Sequence, residues 1–270
     1  METFNRFFGA IGRKGLGTVS LLGALLRMLG SAAYWSFIAP FRGLGFRYGA
    51  TAEQMVRAGI NPVPIVCLVL LFVGMILCFQ MARVLEYLAP DAVPYVADAV
   101  GKAIILELGP LLTAVVMSGF IGAAIAAELG TMTVNEEVLA LEVHALSPIR
   151  FLVVPRFWGA VLMIPCLTIL ADIVGVFGGF MIGTNLLGIP PWQYIYRTIE
   201  AVPMRDFWQG LIKSLAFSIV ISLIACDRGL RVEGGAEGVG KATTTSVVLC
   251  IVYIIAVDCL LTIVFYYTWR

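Results

Sequence analysis

Residues Val63–Val84 read VPIVCLVLLFVGMILCFQMARV, and Arg83 is the one charged side chain among them. A helix of about 20 predominantly apolar residues is long enough to cross the hydrocarbon core of a bilayer. Four further stretches have the same character, and together the five predict an all-α integral membrane protein with about five spans. The other four are Ala103–Ala127, Phe157–Leu186, Phe207–Cys226 and Ser246–Tyr267.

Composition and charge distribution agree with a membrane location. Hydrophobic residues make up 60% of the chain and charged residues 13%, whereas soluble domains average roughly 45–50% and 25%. The net charge of +1 provides no basic field for nucleic acid. Lysine and arginine concentrate before the first span, in residues 128–156 and in residues 227–241. The positive-inside rule therefore predicts a cytoplasmic N-terminus and an external C-terminus.

The N-terminal part has a different pattern from the spans. Leu16–Ala39 is apolar, but Arg27 lies in its middle and glycines interrupt it, so an interfacial helix in the headgroup plane fits better than a span. Asn61-Pro62-Val63-Pro64 then opens the first span, because proline is tolerated in a first helical turn. We therefore divide the chain into an interfacial part, residues 1–60, and a five-span domain, residues 61–270.

A polar segment, Gly130–Pro148, separates the second and third spans. Thr133 and Glu136 have the spacing of a capping box, which predicts that a new helix begins there. Val134, Val138 and Leu141 then share one helical face. The prediction is a short amphipathic helix at about residues 133–147, which either braces the membrane surface or docks a cytoplasmic partner.

Small residues recur at four-residue spacing in the second and third spans, as Ser118/Gly122/Ala126 and Gly175/Gly179/Gly183. Such spacing lets helix backbones approach closely.

The segment Gly235–Ala242, GAEGVGKA, is close to a phosphate-binding P-loop but has Ala242 where a Mg²⁺-binding hydroxyl is needed. It also follows an apolar span rather than a buried strand, so we interpret its glycines as a tight turn before a helix starting at Thr243–Thr245. No hydrolase motif is present, His144 is the single histidine, and the six cysteines form no C-x-x-C pair. We predict no catalytic residue, metal site or cofactor in this chain.

Five ionisable residues fall within or near the apolar stretches. A charge at the bilayer centre costs about 2.5–3.5 kcal/mol on insertion scales, so such residues are functional candidates. Two interpretations stay open: they pair with polar groups on neighbouring helices, or they line a polar substrate path. The five are Glu107, Glu128, Asp172, Lys213 and Asp258.

Several blocks of sequence are distinctive: ELGPLLTA (Glu107–Ala114), GFIGAAIAAELGTM (Gly119–Met132), EEVLALEV (Glu136–Val143), VVPR (Val153–Arg156) and GVGKATT (Gly238–Thr244). These blocks and the last span closely resemble the MlaE-type permeases of MCE (mammalian cell entry) lipid transporters. The resemblance covers roughly residues 60–265. Arginine is more usual in that family where Phe120 stands.

The resemblance implies a homodimeric, non-catalytic permease in the bacterial inner membrane, with its C-terminus in the periplasm. It implies two copies of a cytoplasmic ABC ATPase, which consume ATP-Mg, and a periplasmic, membrane-anchored MCE protein oligomer. The substrate would be phospholipid, moved between the inner membrane and the MCE protein for outer-membrane lipid homeostasis.

In that family the short cytoplasmic helix is a coupling helix that sits in a groove of the ATPase. The resemblance therefore assigns ATPase coupling to residues in and just before it. These are Glu128, Thr133, Val134, Glu136, Glu137, Val138, Leu141 and Glu142.

A lipid needs an apolar groove for its chains and a polar rim for its headgroup. Five apolar residues share one helical face at the external end of the first span. We predict lipid binding there, although core packing is the alternative for each apolar residue. The predicted set is Leu77, Met81, Val84, Leu85 and Leu88, with Leu108 and the polar Gln80, Arg83 and Glu107.

Two other functions are compatible with the sequence. An ion- or proton-coupled secondary carrier would use Asp172, Glu107 and Asp258 as a relay and would need no ATPase. An inert scaffold subunit would tolerate changes in the groove without loss of lipid traffic.

Overall fold

The computed structural model describes residues 23–38, 48–88 and 90–268, and within these ranges every regular element is helical. Five of the helices, α3, α4, α6, α8 and α9, are long and apolar enough to cross a membrane. The predicted all-α fold with five spans is confirmed. The helices are α1 (residues 23–38), α2 (Tyr48–Gly59), α3 (Val63–Leu88), α4 (Val93–Val134), α5 (Glu137–Val143), α6 (Ile149–Asn185), α7 (Pro191–Ala201), α8 (Met204–Leu230) and α9 (Gly235–Thr268).

Two spans accommodate proline by widening the preceding turn. In α4 a π-helical turn, Ile104–Leu108, comes just before Pro110, and α6 begins with a π-helical turn, Ile149–Val153, just before Pro155. Proline has no amide hydrogen and its ring clashes with the carbonyl four residues earlier. A wider turn relieves this conflict without breaking the helix.

The start of the first span is confirmed, whereas the predicted start of the last is wrong. α2 ends at Gly59 and α3 begins at Val63, on either side of Asn61-Pro62. α9 begins at Gly235, two turns before the predicted start. Gly234 and Gly235 make the turn with φ of 88° and 71°, which favours glycine. Thr243–Thr245 lie inside the helix, where their hydroxyls donate to carbonyls four residues earlier.

Glycines let α3 and α6 cross in backbone contact. A methyl group on Gly74 would collide with the carbonyl oxygen of Gly175, and one on Gly178 would collide with the carbonyl oxygen of Leu71. Of the predicted third-span glycines, Gly175 is confirmed in backbone packing, whereas Gly179 and Gly183 make room for the Tyr194 ring of α7. Gly74 and Gly178 complete the crossing, and the sequence spacing singled out neither of them.

The core lies where α3, α4, α6, α8 and α9 meet. Its fully buried members come from all five helices, while α9 turns a row of exposed apolar residues outward. That outer face is suited to lipid contact. Core residues include Leu70, Met117, Ile164, Phe217, Ile221 and Ile254.

The predicted interfacial helix, Leu16–Ala39, lies partly outside the described residues, at 16–22 and at 39. Its described part, α1, packs through Leu25 and Met28 on a cluster formed by α6 and α8. The indole Nε1 of Trp158 donates a hydrogen bond of 2.8 Å to Ser36 Oγ. α1 is therefore attached to the span domain by both apolar and polar contacts.

Candidate functional site

A buried lysine on α8 joins three helices through one ion network. Lys213 is fully buried, and its Nζ lies 2.5 Å from Glu107 Oε2 on α4 and 2.9 Å from Asp258 Oδ1 on α9. It also donates a hydrogen bond of 2.7 Å to Thr262 Oγ1 on α9. We call these four residues the Lys213 network. The pairing interpretation is confirmed for Lys213, Glu107 and Asp258.

The Lys213 network borders a cavity. Glu107 and Thr262 line a space of about 440 Å³, and the Glu107 carboxylate is partly exposed. Glu107 therefore contacts Lys213 in the protein interior and the cavity on its other side. We call this space the Glu107 cavity; its other lining residues are Leu106, Arg205, Asp206, Gln209, Phe265 and Tyr266.

A second ion network lies at the opposite end of α4. Glu128 accepts hydrogen bonds of 2.9 Å from Arg57 Nη1 and 3.0 Å from Arg156 Nη2. Arg156 is buried, while Arg57 also pairs with Glu53 on its own helix. Glu128 thus links α2 and α6 to α4. This is a structural role for a residue to which the family resemblance assigns ATPase coupling.

The predicted capping box is wrong. Thr133 belongs to the last turn of α4, and its hydroxyl donates to Leu129 O at 2.8 Å and to Gly229 O at 3.3 Å. Glu136 precedes α5 in the left-handed conformation, with φ of 60°, and its side chain makes no capping bond. The short helix therefore runs from Glu137 to Val143 rather than over 133–147.

The surface of α5 carries two well-exposed apolar side chains. Leu139 is 54% exposed and Val143 is 77% exposed, and their four-residue spacing places them on one face. Val138 and Leu141 are half-buried, and Val134 belongs to α4. Glu137 and Glu142 are exposed beside this face. The coupling role of all these residues stays a prediction.

The predicted groove residues on α3 divide between two environments. Leu77, Met81 and Leu85 pack against an internal cluster that includes Cys78 and Val96. Gln80, Arg83 and Val84 are exposed, and the side chain of Leu88 lies outside the described part of the chain. Leu108 is half-buried in α4.

The structure does not bring Glu107 to this face of α3, because Glu107 contacts α8 and α9 instead. Lipid binding at the predicted set stays a prediction. Sequence reasoning named Lys213 as a charged candidate without placing it in the lipid site, and it did not name Thr262 or the other residues that line the Glu107 cavity beside Glu107. Lys213 can be recognised in the sequence because it is a charged residue within an apolar stretch. No feature of the sequence distinguishes Thr262.

Tyr194 of α7 anchors the segment between the third and fourth spans to α6. Its ring is buried against Phe180 with ring centroids 5.6 Å apart, and it fits against Gly183 of α6. Burial raises the pKa of the Tyr194 hydroxyl above its ordinary value because the phenolate would lose its hydration. The hydroxyl therefore stays neutral to a higher pH than that of an exposed tyrosine.

Comparison with known proteins gives a consistent result. Residues 51–264 match the family described as permease MlaE. A probable ABC transporter permease protein of Synechocystis sp. is 40% identical over 198 residues, covering 73% of this chain and 74% of the relative. Similar proteins with the same description occur in Rickettsia typhi, at 34% identity over 78% of this chain and 80% of the relative, and in Porphyra purpurea, at 34% identity over 79% and 80%.

Proposed function

The chain belongs to the MlaE permease family and is an ABC transporter permease subunit; from this premise we propose that it moves phospholipid between the inner membrane and a periplasmic MCE protein oligomer. In this proposal two copies of the chain form the permease. Two copies of a cytoplasmic ABC ATPase bind it and supply the energy by hydrolysing ATP-Mg. The subunit itself performs no covalent chemistry.

The observation that carries the substrate proposal is the position of Glu107. Its carboxylate is paired to buried Lys213 and is also partly exposed to a cavity bordered by Arg205 and Gln209. Guanidinium and amide groups donate hydrogen bonds to phosphate oxygens, and Phe265 and Tyr266 add apolar surface beside them. A cavity with both characters suits a phospholipid headgroup and the beginning of its chains.

The coupling proposal rests on α5. This helix lies between two spans, contains no buried residue and exposes Leu139 and Val143. Exposed apolar side chains on a surface helix suit burial in a partner's groove. In the proposed cycle, ATP binding closes the ATPase dimer and moves both α5 helices. The permease subunits then approach each other and narrow the cavity, which expels the lipid.

The coupling test is co-purification from the native membrane. We expect the wild-type chain to retain an ATPase, an MCE protein and phospholipid through a mild detergent extraction. The double variant Leu139→Asp, Val143→Asp should lose at least about tenfold of the ATPase, because two charges would enter an apolar contact. Ile195→Asp is the matched control, since Ile195 is 51% exposed on α7, and it should keep the ATPase.

The substrate test uses the same preparations. We expect the variant Arg205→Leu, which removes a guanidinium donor from the Glu107 cavity, to retain its ATPase but to carry less phospholipid, measured by mass spectrometry of the extracted lipid. For the coupling test, recovery of as much ATPase with the Leu139→Asp, Val143→Asp double variant as with the wild type would contradict the coupling role. Transport that follows a proton gradient in vesicles lacking any ATPase would favour the secondary carrier instead.

A further inference from the structure

Asp172 is a buried carboxyl group that the Lys213 network does not include. It lies in α6, is 7% exposed, and its Oδ1 has no hydrogen-bond partner among the described residues. That oxygen lies against the backbone of Gly109 in α4, where any side chain would collide with it. Glu107 and Asp258, by contrast, lie within 2.5 Å and 2.9 Å of the Lys213 ammonium. Asp172 therefore has an unused capacity to accept hydrogen bonds.

The exposed part of Asp172 faces a separate cavity of about 450 Å³ between α4, α6, α7 and α8. We call it the Asp172 cavity. Its walls are apolar and include Ile105, Val176 and Phe207. Ile199, which is 70% exposed, and Met204 stand at its opening, so the cavity is open to the outer surface of the bundle.

Thr198 is the second polar group of the Asp172 cavity. Its hydroxyl donates a hydrogen bond of 2.9 Å to Tyr194 O. The donor hydrogen is therefore used within α7, and the oxygen can still accept. The cavity thus presents two acceptors, Asp172 and Thr198, on an otherwise apolar lining.

The chemistry of this lining selects among possible occupants. Ordered water needs about two to four polar partners, and apolar cavities stay dry. An ammonium group would form an ion pair whose desolvation cost offsets most of its attraction. A hydroxyl group loses less hydration on entering an apolar site and satisfies a buried acceptor. A molecule with a hydroxyl head and an apolar body therefore matches both parts of the cavity.

We propose that the Asp172 cavity binds an amphiphile whose hydroxyl head donates a hydrogen bond to Asp172 and whose apolar body packs on the isoleucine and valine walls. The volume allows roughly fifteen water-sized groups at about 30 Å³ each, enough for a glycerol-type head and part of one chain. The opening beside Ile199 lets the rest of the molecule remain in the bilayer. This site is distinct from the Glu107 cavity and does not depend on which substrate the transporter moves.

The test uses a monoacylglycerol that carries a photoreactive diazirine in its chain. The full-length protein is placed in phosphatidylcholine nanodiscs and irradiated, and the modified residues are mapped by mass spectrometry. We expect labelling on α6 and α7 near Asp172 and Ile199. Unlabelled monoacylglycerol should compete, whereas the matched alkylamine should not. Competition by the amine alone, or labelling elsewhere, would overturn the proposal.

Two variants separate the head contact from the apolar contact. Asp172→Leu removes the acceptor and should reduce labelling about tenfold, the effect of losing one buried hydrogen bond. Ile199→Trp leaves Asp172 intact, blocks the opening and should reduce labelling to a similar extent. Ile195→Trp, one turn earlier on α7 and away from the cavity, is the control and should label like the wild type. If Asp172→Leu does not fold, the Ile199→Trp variant alone tests the site. Unchanged labelling of Ile199→Trp would refute the proposal.

Discussion

A lysine buried completely inside a lipid-embedded bundle has to be balanced by nearby anions, and Lys213 has two. Glu107 and Asp258 reach it from different helices, so one ammonium group holds α4, α8 and α9 together. Buried ion pairs add little net stability, because desolvation offsets their attraction. Removing one partner is costly, however, because it leaves an uncompensated charge in the interior.

Replacing Lys213 with methionine should therefore destabilise the protein strongly. Two carboxylates would remain close together without a cation, and we expect a loss of about 3–5 kcal/mol. The triple variant Lys213→Met, Glu107→Gln, Asp258→Asn removes all three charges and should recover a large part of the loss. Both effects are measured as the melting temperature in detergent, with size-exclusion chromatography used to monitor the loss of folded protein on heating.

The matched control for this prediction is Lys102→Met. Lys102 is exposed near the same end of α4, and its replacement should change stability little. Equal melting temperatures for Lys213→Met and the wild type would mean that the ion network does not hold the three helices. A triple variant as unstable as the single one would point to lost packing rather than unpaired charge.

Among the helices, α3 and α6 cross in backbone contact at glycines. Gly178→Ala should push the helices apart, because its methyl group would overlap the carbonyl of Leu71. We expect a cost of about 1–3 kcal/mol, as for other overpacked interiors. Thermal unfolding in detergent provides the measurement.

Gly240→Ala supplies the comparison for the helix crossing. Gly240 lies in α9 with no neighbouring atom where a methyl group would stand, and alanine favours the helical state over glycine. We expect unchanged or slightly higher stability for it. A Gly178→Ala variant that behaves in the same way would show that the α3 and α6 backbones can separate without cost.

The spans could be predicted from the sequence because lipid requires long uninterrupted apolar helices, and five such stretches are visible. Helix ends were harder to predict where two signals compete. Thr133 has capping-box spacing, yet α4 continues past it and its hydroxyl bonds back to Leu129. The glycines at 235, 238 and 240 indicated a turn, but of these only Gly235 has a positive φ, together with the preceding Gly234. For Thr133, a contact with the carbonyl of Gly229 on α8, which the local pattern does not contain, accompanies the longer helix.

The candidate site was predictable only in part, for the same reason. Glu107, Lys213 and Asp258 are recognisable as charges in apolar stretches, but they are separated by up to 151 positions. That all three meet depends on how α4, α8 and α9 pack. The groove on α3 was inferred from one helix alone, and three of its residues turn toward α4 once the neighbouring helix is present. A single-helix pattern predicts a face without identifying what covers it.

In the molecule as a whole, each span carries the chain once across the bilayer, so successive connections should alternate between its two sides. α6 contains 37 residues, or about 55 Å at 1.5 Å per residue, which exceeds the roughly 30 Å hydrocarbon core even when tilted. The two ends of α6, and hence α5 and α7, should therefore lie on opposite sides. The turn before α9 should lie on the α5 side.

Single cysteines at Glu142 on α5, Glu200 on α7 and Glu237 on α9 test this arrangement, since all three positions are exposed. A membrane-impermeant maleimide should label Glu200→Cys in right-side-out vesicles, and Glu142→Cys and Glu237→Cys only in inverted ones. The unmodified chain is the control, because its six cysteines lie within the spans. Labelling of Glu142→Cys and Glu200→Cys from the same side would mean that α6 does not cross the membrane. In that case α5 could not contact an ATPase while the segment containing α7 faced a periplasmic partner.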